Sequence, residues 1–412
     1  MTLSEELEWR GFVKQTTFED PKWLDTPRTV YFGVDPSADS LHVGNLASYM
    51  PLRHMIDKGW KVVLLIGGGT GMIGDPGGKS EERNLLDMET LASNKAAVSA
   101  QVKNLFAGKE FTLVDNYDWL SKLDLITFLR DTGKHFNMSM LVQRDYIAQR
   151  IGEGGAGISY TEFSYTLLQG YDYYHLNEEL GVELQYGGSD QWGNMLSGVD
   201  LIRKKSGKES HVLAGPLIVN KRTGKKFGKS EGGAVWLDPS RTSVYQFYQF
   251  WLNSEDDDVG EYLKYFTLLT KEEIAEIMIA FEKDRASRSA QKRLAYEVTK
   301  MVHGAEKADS TAHVTEVLFG NETYDSLSEA DFKVLGEALS VVKATSNSLV
   351  QLLVEGGLAS SNTEARHFLQ SGAVYINGQQ SAADKESLDS KDVIQGYTVL
   401  RRGKNSQVLI QS

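Results

Sequence analysis

The 412-residue chain contains no cysteine. That excludes disulfides and any zinc or iron–sulfur centre held by thiolates, and it leaves the redox compartment open. An excess of basic residues is also missing. Lys and Arg number 44 against 56 Asp and Glu, a formal net charge of −12. A uniformly basic surface is excluded, so any nucleic-acid partner must be met by local basic patches. Continuous apolar runs such as Val62 to Ile66 are far too short to span a bilayer. The opening stretch MTLSEELEWRGF has neither the basic nor the apolar region of a signal peptide. The expectation is a cytoplasmic protein with no membrane partner. There is no internal repeat and no low-complexity tract. With 41% hydrophobic residues, the chain is long enough for a sizeable core and about two or three domains.

Residues 30–34 (VYFGV) and 61–66 (KVVLLI) predict short buried strands, rich in β-branched or aromatic residues and followed by turns. Between them LASYMPLRHMIDKG has helical spacing and stops at Gly59; Pro51 inside it predicts a kink. Strand, helix and parallel strand make an α/β sheet, whose ligand sits beyond the carboxyl ends of the strands. A further strand is expected at Val182 to Tyr186, ending in Gly187-Gly188, and an apolar stretch at Leu213 to Val219 leads into a basic loop. Residues 241–315 read as amphipathic helices, with Glu255-Asp256-Asp257-Asp258 as a connection. From about 345 the pattern changes to two short helices, near 347–355 and 362–371. Strands follow near 373–376, 393–400 and 407–411.

Four segments carry the chemistry. In YFGVDPSADSLHVGNLAS (31–48) a helix starts near His42-Val43-Gly44-Asn45. Glycine lets a base or ribose approach the backbone, the helix N-terminus favours phosphate, and imidazole donates to phosphate oxygen. A surface histidine at a helix start would look the same. In IGGGTGMIGDPGGKSEER (66–83) five glycines follow a strand. It is not a P-loop, because Ile73 stands where that motif needs glycine. Lys79 and Arg83 are four apart and suit a polyphosphate, although a solvated helix start has the same spacing. The third segment holds Tyr165, Gln169 and Asp172 on one helical stripe, then GGSDQWGN (187–194), where Asp190 suits ribose hydroxyls. A partly exposed helix face and a turn aspartate are the plain alternatives. The fourth, NKRTGKKFGKSEGG (220–233), gathers Lys221, Arg222, Lys225, Lys226 and Lys229 with no acid before Glu231. In an acidic chain this points to an anion, against the alternative of a solvated loop.

Together the segments resemble the bacterial-type tyrosyl-tRNA synthetases of class I, from Leu7-Glu8-Trp9-Arg10-Gly11 into the tail. His42-Val43-Gly44-Asn45 corresponds to the first class signature, and Lys226-Phe227-Gly228-Lys229-Ser230 to the second. Asn45 departs from the second histidine of the former, and Phe227-Gly228 from the Met-Ser of the latter. The resemblance implies a Rossmann-like parallel-sheet catalytic domain at 1–238, with a dimer-interface insertion near 115–165. An α-helical anticodon-binding domain at 239–335 and a small α+β S4-like RNA-binding domain at 345–412 would follow.

It also implies roles. Tyr31 and Asp172 match the pair on the substrate's phenolic hydroxyl. Tyr165, Gln169 and Asp75 match the surroundings of its amino group, and Asp35 and Gln191 line the site. Ser37 and His42 match phosphate contacts. Gly44, Asn45, Ser48, Gly188 and Asp190 complete the ATP site. Lys79, Arg83, Lys226, Lys229 and Ser230 fall on the pyrophosphate side. The expected partners are L-tyrosine, ATP, tRNA(Tyr) and a second copy of the chain. Mg2+ would arrive with ATP, and no protein-bound metal is expected. Arg366, Arg401, Arg402 and Lys404 in the tail suit RNA phosphates. Two rivals are a tryptophanyl enzyme and a non-catalytic RNA-binding protein on a synthetase scaffold.

Overall fold

A computed structural model of the chain describes residues 1–76, 85–143, 145–152, 155, 157–218, 227, 229–230, 233–320, 322–403 and 406–412, with the backbone alone at 140, 145, 146, 229 and 230. Lys79, Arg83, Lys221, Arg222, Lys225, Lys226 and Lys404 lie outside these residues, as do the side chains of Lys229 and Ser230. The chain divides into two compact units: Met1–Asp238 with Gly260–Ile274, and Pro239–Val259 with Ala275–Ser412.

The first unit is built on a six-stranded sheet. Its strands are β1 (Gln15–Thr16), β2 (Thr29–Val34), β3 (Lys61–Ile66), β4 (Thr112–Asp115), β5 (Leu184–Gly188) and β6 (His211–Gly215), in the order β1-β6-β5-β2-β3-β4. All neighbours pair in parallel except the short edge strand β1. A separate two-stranded ribbon pairs β7 (Lys229–Ser230) with β8 (Gly233–Ala234). The sequence TVYFGV forms β2 because β-branched and aromatic residues fit a buried pleated surface, and its first four residues are buried. From β2 the chain first builds outward through β3 and β4, then returns to the other side of β2 as β5 and β6. The order therefore reverses between β2 and β5, which opens a crevice at their carboxyl ends.

One expectation needed adjustment. The strand expected at 182–186 runs instead over Leu184–Gly188, and its glycines do not end it. Gly187 and Gly188 pair with Ala214 and Gly215 of β6, so the tertiary partner extends the strand through residues of low β propensity. The helix α2 (Val43–Asp57) holds Pro51 in its interior, as expected.

Helices accompany the sheet. They are α1 (Leu3–Arg10), α2, α3 (Met88–Leu105), the short α4 (Tyr117–Leu120), α5 (Leu125–Asp131), α6 (Met138–Leu141) and α7 (Asp145–Ile151), then α8 (Tyr160–Leu180) and α9 (Trp192–Ser206). Ser159 caps the start of α8 through its hydroxyl, and Gly181 ends it at φ 64°, a left-handed conformation that suits glycine. Helix α8 packs on the sheet through Tyr173 and Leu176, which share a core with Tyr31, Val63 and Leu65.

Arg10 ties α1 to residues 264–269, at and just beyond the end of α11 (Val259–Phe266). It is 1% exposed and donates to the carbonyls of Lys264, Thr267 and Leu269 at 2.9, 3.1 and 2.6 Å. Glu6 neutralises it at 3.3 Å and also meets His54 of α2 at 3.3 Å. The hydrogen bond with His54 leads the effects that hold the Glu6 carboxyl down at about 2.

The second unit contains α10 (Val244–Leu252), most of α12 (Lys271–Lys283), α13 (Ser289–His303), α14 (Ala305–Phe319) and α15 (Glu329–Ala338). Its C-terminal part holds α16 (Leu349–Glu355) and α17 (Asn362–Gln370). These accompany a five-stranded sheet of β9 (Ser340–Lys343), β10 (Val374–Ile376), β11 (Gln379–Gln380), β12 (Tyr397–Arg402) and β13 (Ser406–Gln411). Leu352, Leu353, Ala365, Val374, Leu400 and Val408 form its core. Strand β9, which pairs in parallel with β13, was not expected from the sequence. Among the described residues no helix is long and apolar enough to cross a membrane.

Arg10→Ala should lower the unfolding free energy by about 3 kcal/mol, because it leaves the carbonyls of Lys264, Thr267 and Leu269 without their donor and takes one of its partners from Glu6. Urea denaturation measures this, and a loss below about 1 kcal/mol would mean that water replaces the guanidinium there.

Candidate active site

A cavity of about 390 Å³ lies beyond the carboxyl ends of β2 and β5. Each described site residue named from the sequence whose side chain is described lines it. Tyr31, Asp35 and Ser37 come from β2 and the turn after it; His42, Gly44, Asn45 and Ser48 come from the start of α2. Asp75 follows the glycine-rich loop. Tyr165, Gln169 and Asp172 descend from α8, and Gly188, Asp190 and Gln191 close the other wall. Pairing of Tyr31 with Val63 on one side and Gln185 on the other fixes the Tyr31 ring within the sheet.

His42 is the N-cap of α2. Its Nδ1 accepts from Gly44 N–H at 3.0 Å, while Asn45 Oδ1 accepts from His42 N–H at 3.1 Å. In the neutral ring the proton therefore sits on Nε2. Asn45, in place of a second histidine, completes this reciprocal cap. The segment just after the second signature is stitched to the first. Val43 N–H donates to Val235 O at 3.0 Å, and Leu237 N–H to Leu41 O at 2.8 Å. Phe227 packs on Tyr262 and Phe266, with ring centroids 4.9 and 5.2 Å away. Its carbonyl lies so near Gly44 that a Cβ there would meet it at 3.0 Å and the His42 ring at 2.8 Å. Glycine at 44 is thus required by close approach.

The end of the cavity walled by α8 is an ordered polar network. Tyr165 Oη donates to Asp35 Oδ2 at 2.8 Å, and Thr70 Oγ1 to Asp35 Oδ1 at 2.7 Å. Gln191 Nε2 donates to Asp75 Oδ2 at 2.7 Å, and Asn194 Nδ2 holds Gln191 Oε1 at 3.2 Å. The glycine run owes its composition to close neighbours, with carboxylates against Gly67 and Gly68 and the side chains of Leu120 and Leu91 against Gly69 and Gly71. A Cβ on Gly67 would stand 2.0 Å from Asp35 Oδ1. The amides of Gly68 and Gly69 are taken by Asp115 and Asn116.

Asp172 lies at the closed end, 2% exposed. Asn116 Nδ2 donates to its Oδ2 at 2.9 Å and Trp119 Nε1 to its Oδ1 at 2.7 Å. Burial pushes the carboxyl up to about 7 against the pull of these two donors. Across the cavity, Tyr31 Oη is buried with no hydrogen-bond partner among the described residues, and so is Gln185 Oε1. Burial likewise raises the Tyr31 phenol well above its ordinary value. Asn116, Trp119, Thr70 and Gln185 were not singled out in the sequence. Asn116 and Trp119 stand more than fifty positions before Asp172, inside a stretch read as an interface insertion. No local pattern marks them.

Comparison with known proteins agrees with this architecture. Residues 24–320 match the family of class I tRNA synthetases for tryptophan and tyrosine, and residues 331–410 match a C-terminal domain of tyrosine–tRNA ligases. The tyrosine–tRNA ligase of Staphylococcus haemolyticus is 44% identical over 99% of this chain and 98% of its own length. That of Macrococcus caseolyticus is 45% identical over 99% of each. The chain belongs to the tyrosyl-tRNA synthetases. A solved structure of the C-terminally truncated mitochondrial tyrosyl-tRNA synthetase of Aspergillus nidulans superposes with a TM-score of 0.71 at 31% identity. It covers 77% of this chain and 94% of that one. The activity is accordingly that of a tyrosine–tRNA ligase: ATP activates tyrosine, and the tyrosyl group passes to tRNA. The tryptophanyl and non-catalytic alternatives fall away.

A ligand hydroxyl that donates to Asp172 is held far better by the ionised carboxylate than by the neutral acid. In the ligand-free fold that form prevails only above pH about 7, so binding at lower pH must expel a proton. Tyrosine affinity of a tyrosyl-tRNA synthetase built this way should rise by about tenfold per pH unit up to about 7 and then level off. Calorimetry in buffers of different ionisation enthalpy measures the released proton. Asp172→Asn should abolish both effects, and a pH-independent affinity in the unaltered protein would contradict the scheme.

Proposed function

We propose that the cavity is the centre where tyrosine meets ATP, with the phenol toward Asp172 and the phosphates toward His42. What carries the reading is that the first signature and the segment just after the second are hydrogen-bonded together at one end of a cavity whose other end holds a buried carboxylate. Tyr31 and Asp172 bind the phenolic hydroxyl. Phenylalanine would leave this buried pair without its partner, an outcome that costs free energy. Tyr165, Gln169 and Asp75 surround the ammonium group, with Asp35 and Gln191 holding the network in place. Ser37 and His42 contact phosphate. Gly44, Asn45, Ser48, Gly188 and Asp190 hold the rest of ATP, with Asp190 on the ribose hydroxyls.

The tyrosine carboxylate is already ionised at neutral pH, so it needs no general base. Its oxygen attacks the α-phosphorus, the bond to the bridging oxygen breaks, and pyrophosphate leaves with the electron pair. Catalysis is by positioning and charge stabilisation. His42, with the proton on Nε2, is set to donate to phosphate oxygen. Lys79, Arg83, Lys226 and Lys229 neutralise the pyrophosphate, and the Ser230 hydroxyl donates to it. Mg2+ enters as part of the ATP substrate and adds to that neutralisation. In the second step the terminal adenosine hydroxyl of tRNA displaces AMP from the mixed anhydride.

The helical region 239–335 reads the anticodon, and the S4-like region 345–412 holds RNA through Arg366, Arg401, Arg402 and Lys404. Two copies of the chain associate through the stretch 115–165. Leu125, Ile126, Ile151 and Tyr160 support this, because each leaves at least half of its surface exposed in the single chain. The protein works in the cytoplasm.

Amino-acid-dependent pyrophosphate exchange tests the assignment. Exchange should proceed with tyrosine and not with tryptophan, and exchange with tryptophan alone would overturn the orientation of the site. Lys229→Ala should slow adenylate formation by at least about a hundredfold in single-turnover measurements and leave tyrosine affinity within about twofold. An unchanged single-turnover rate would remove Lys229 from the phosphate side.

A further inference from the structure

Helix α4 spans four residues and buries none of them, yet it carries the indole that donates to Asp172. The buried Asn116 anchors the start of this turn, but three residues further on a four-residue helix is by itself a weak mount for a hydrogen bond of 2.7 Å to a carboxylate at the end of a cavity. The indole is held from the side. His175 stands three residues after Asp172 on α8, on the same face. Its ring lies against Trp119 with centroids 4.5 Å apart and planes at 26°. Tyr171 continues the stack, 6.3 Å from His175 at 20°, and Phe128 meets Tyr171 edge-on at 6.0 Å. Offset stacking of this kind favours one ring plane over its rotations. The plane it fixes here is the one that aims Nε1–H at Asp172 Oδ1.

We propose that His175 is a positioning residue for tyrosine selection: by stacking on Trp119 it holds the indole N–H on Asp172, and so shapes the carboxylate that meets the substrate hydroxyl. The proposal rests on the assignment of Asp172 to that hydroxyl. His175 itself does not touch the substrate. Its effect reaches the reaction through one hydrogen bond to a charged group, so its loss should be felt by tyrosine and not by phenylalanine, which has no hydroxyl to present.

Pyrophosphate exchange with tyrosine and with phenylalanine separates the possibilities. In His175→Ala the kcat/KM for tyrosine should fall about tenfold, carried by KM, while the low value for phenylalanine stays within about twofold. His175→Phe keeps a flat ring and should recover most of the loss. Trp119→Phe keeps the stack, removes the N–H, and should match His175→Ala. The double variant should lose little more than either alone. Equal losses for both amino acids in His175→Ala, no loss for either, or failure of His175→Phe to recover would each overturn the proposal. Asp172→Asn is the separate control. If it leaves the preference for tyrosine over phenylalanine intact, the underlying assignment of Asp172 fails. If it collapses that preference while His175→Ala does not, only the role of His175 fails.

Discussion

Parallel strands all end on the same side of a sheet, and here the chain reverses its direction of growth between β2 and β5. The two strands part beyond residues 34 and 188, because β2 sends its connection one way and β5 the other. Everything chemical on the first unit depends on that gap. It lets Tyr31 and Asp35 from β2, the cap of α2 and the turn after β5 face one space from segments more than a hundred and fifty positions apart. It also explains why the glycine-rich loop is so small in side-chain volume. Gly67 lies directly against the Asp35 carboxylate, and any side chain there would fill the crevice.

A second constraint acts at the closed end. An ionised carboxylate loses far more in leaving water than a neutral group does. Asp172 is given two charge-assisted donors, Asn116 and Trp119, which return part of that loss, and its carboxyl still rises to about 7. The residual cost is what makes the site receptive. A ligand hydroxyl supplies one more donor where Tyr31 Oη and Gln185 Oε1 also stand without partners. Asn116 serves both halves of the arrangement, because it accepts from Gly69 and donates to Thr70 as well as to Asp172. The glycine loop and the carboxylate are thereby fixed to one another.

Sequence reasoning reached the strands around 30–34 and 61–66 and the helices of the second unit because their apolar periodicity is local and strong. It misplaced β5 by two residues, since only pairing with β6 carries Gly187 and Gly188 into a strand. It missed β9, whose four residues gain their ladder from β13, more than sixty positions away. The site followed the same division. Tyr165, Gln169 and Asp172 were visible as a stripe because helical spacing places them together. Asn116 and Trp119 were not, since their importance comes from a contact with Asp172 that no spacing encodes.

By itself the sequence determined the class of chemistry, through His42-Val43-Gly44-Asn45, the GGSDQWGN turn and the basic loop, and it determined the helical face that carries Asp172. The tertiary structure alone decided which donors reach that carboxylate, how the His42 ring is turned, and why glycine stands at 44 and 67. The physical reason is range. Helical and strand periodicity acts over a few residues, whereas hydrogen-bond direction, burial and close approach belong to pairs brought together only when the sheet is complete.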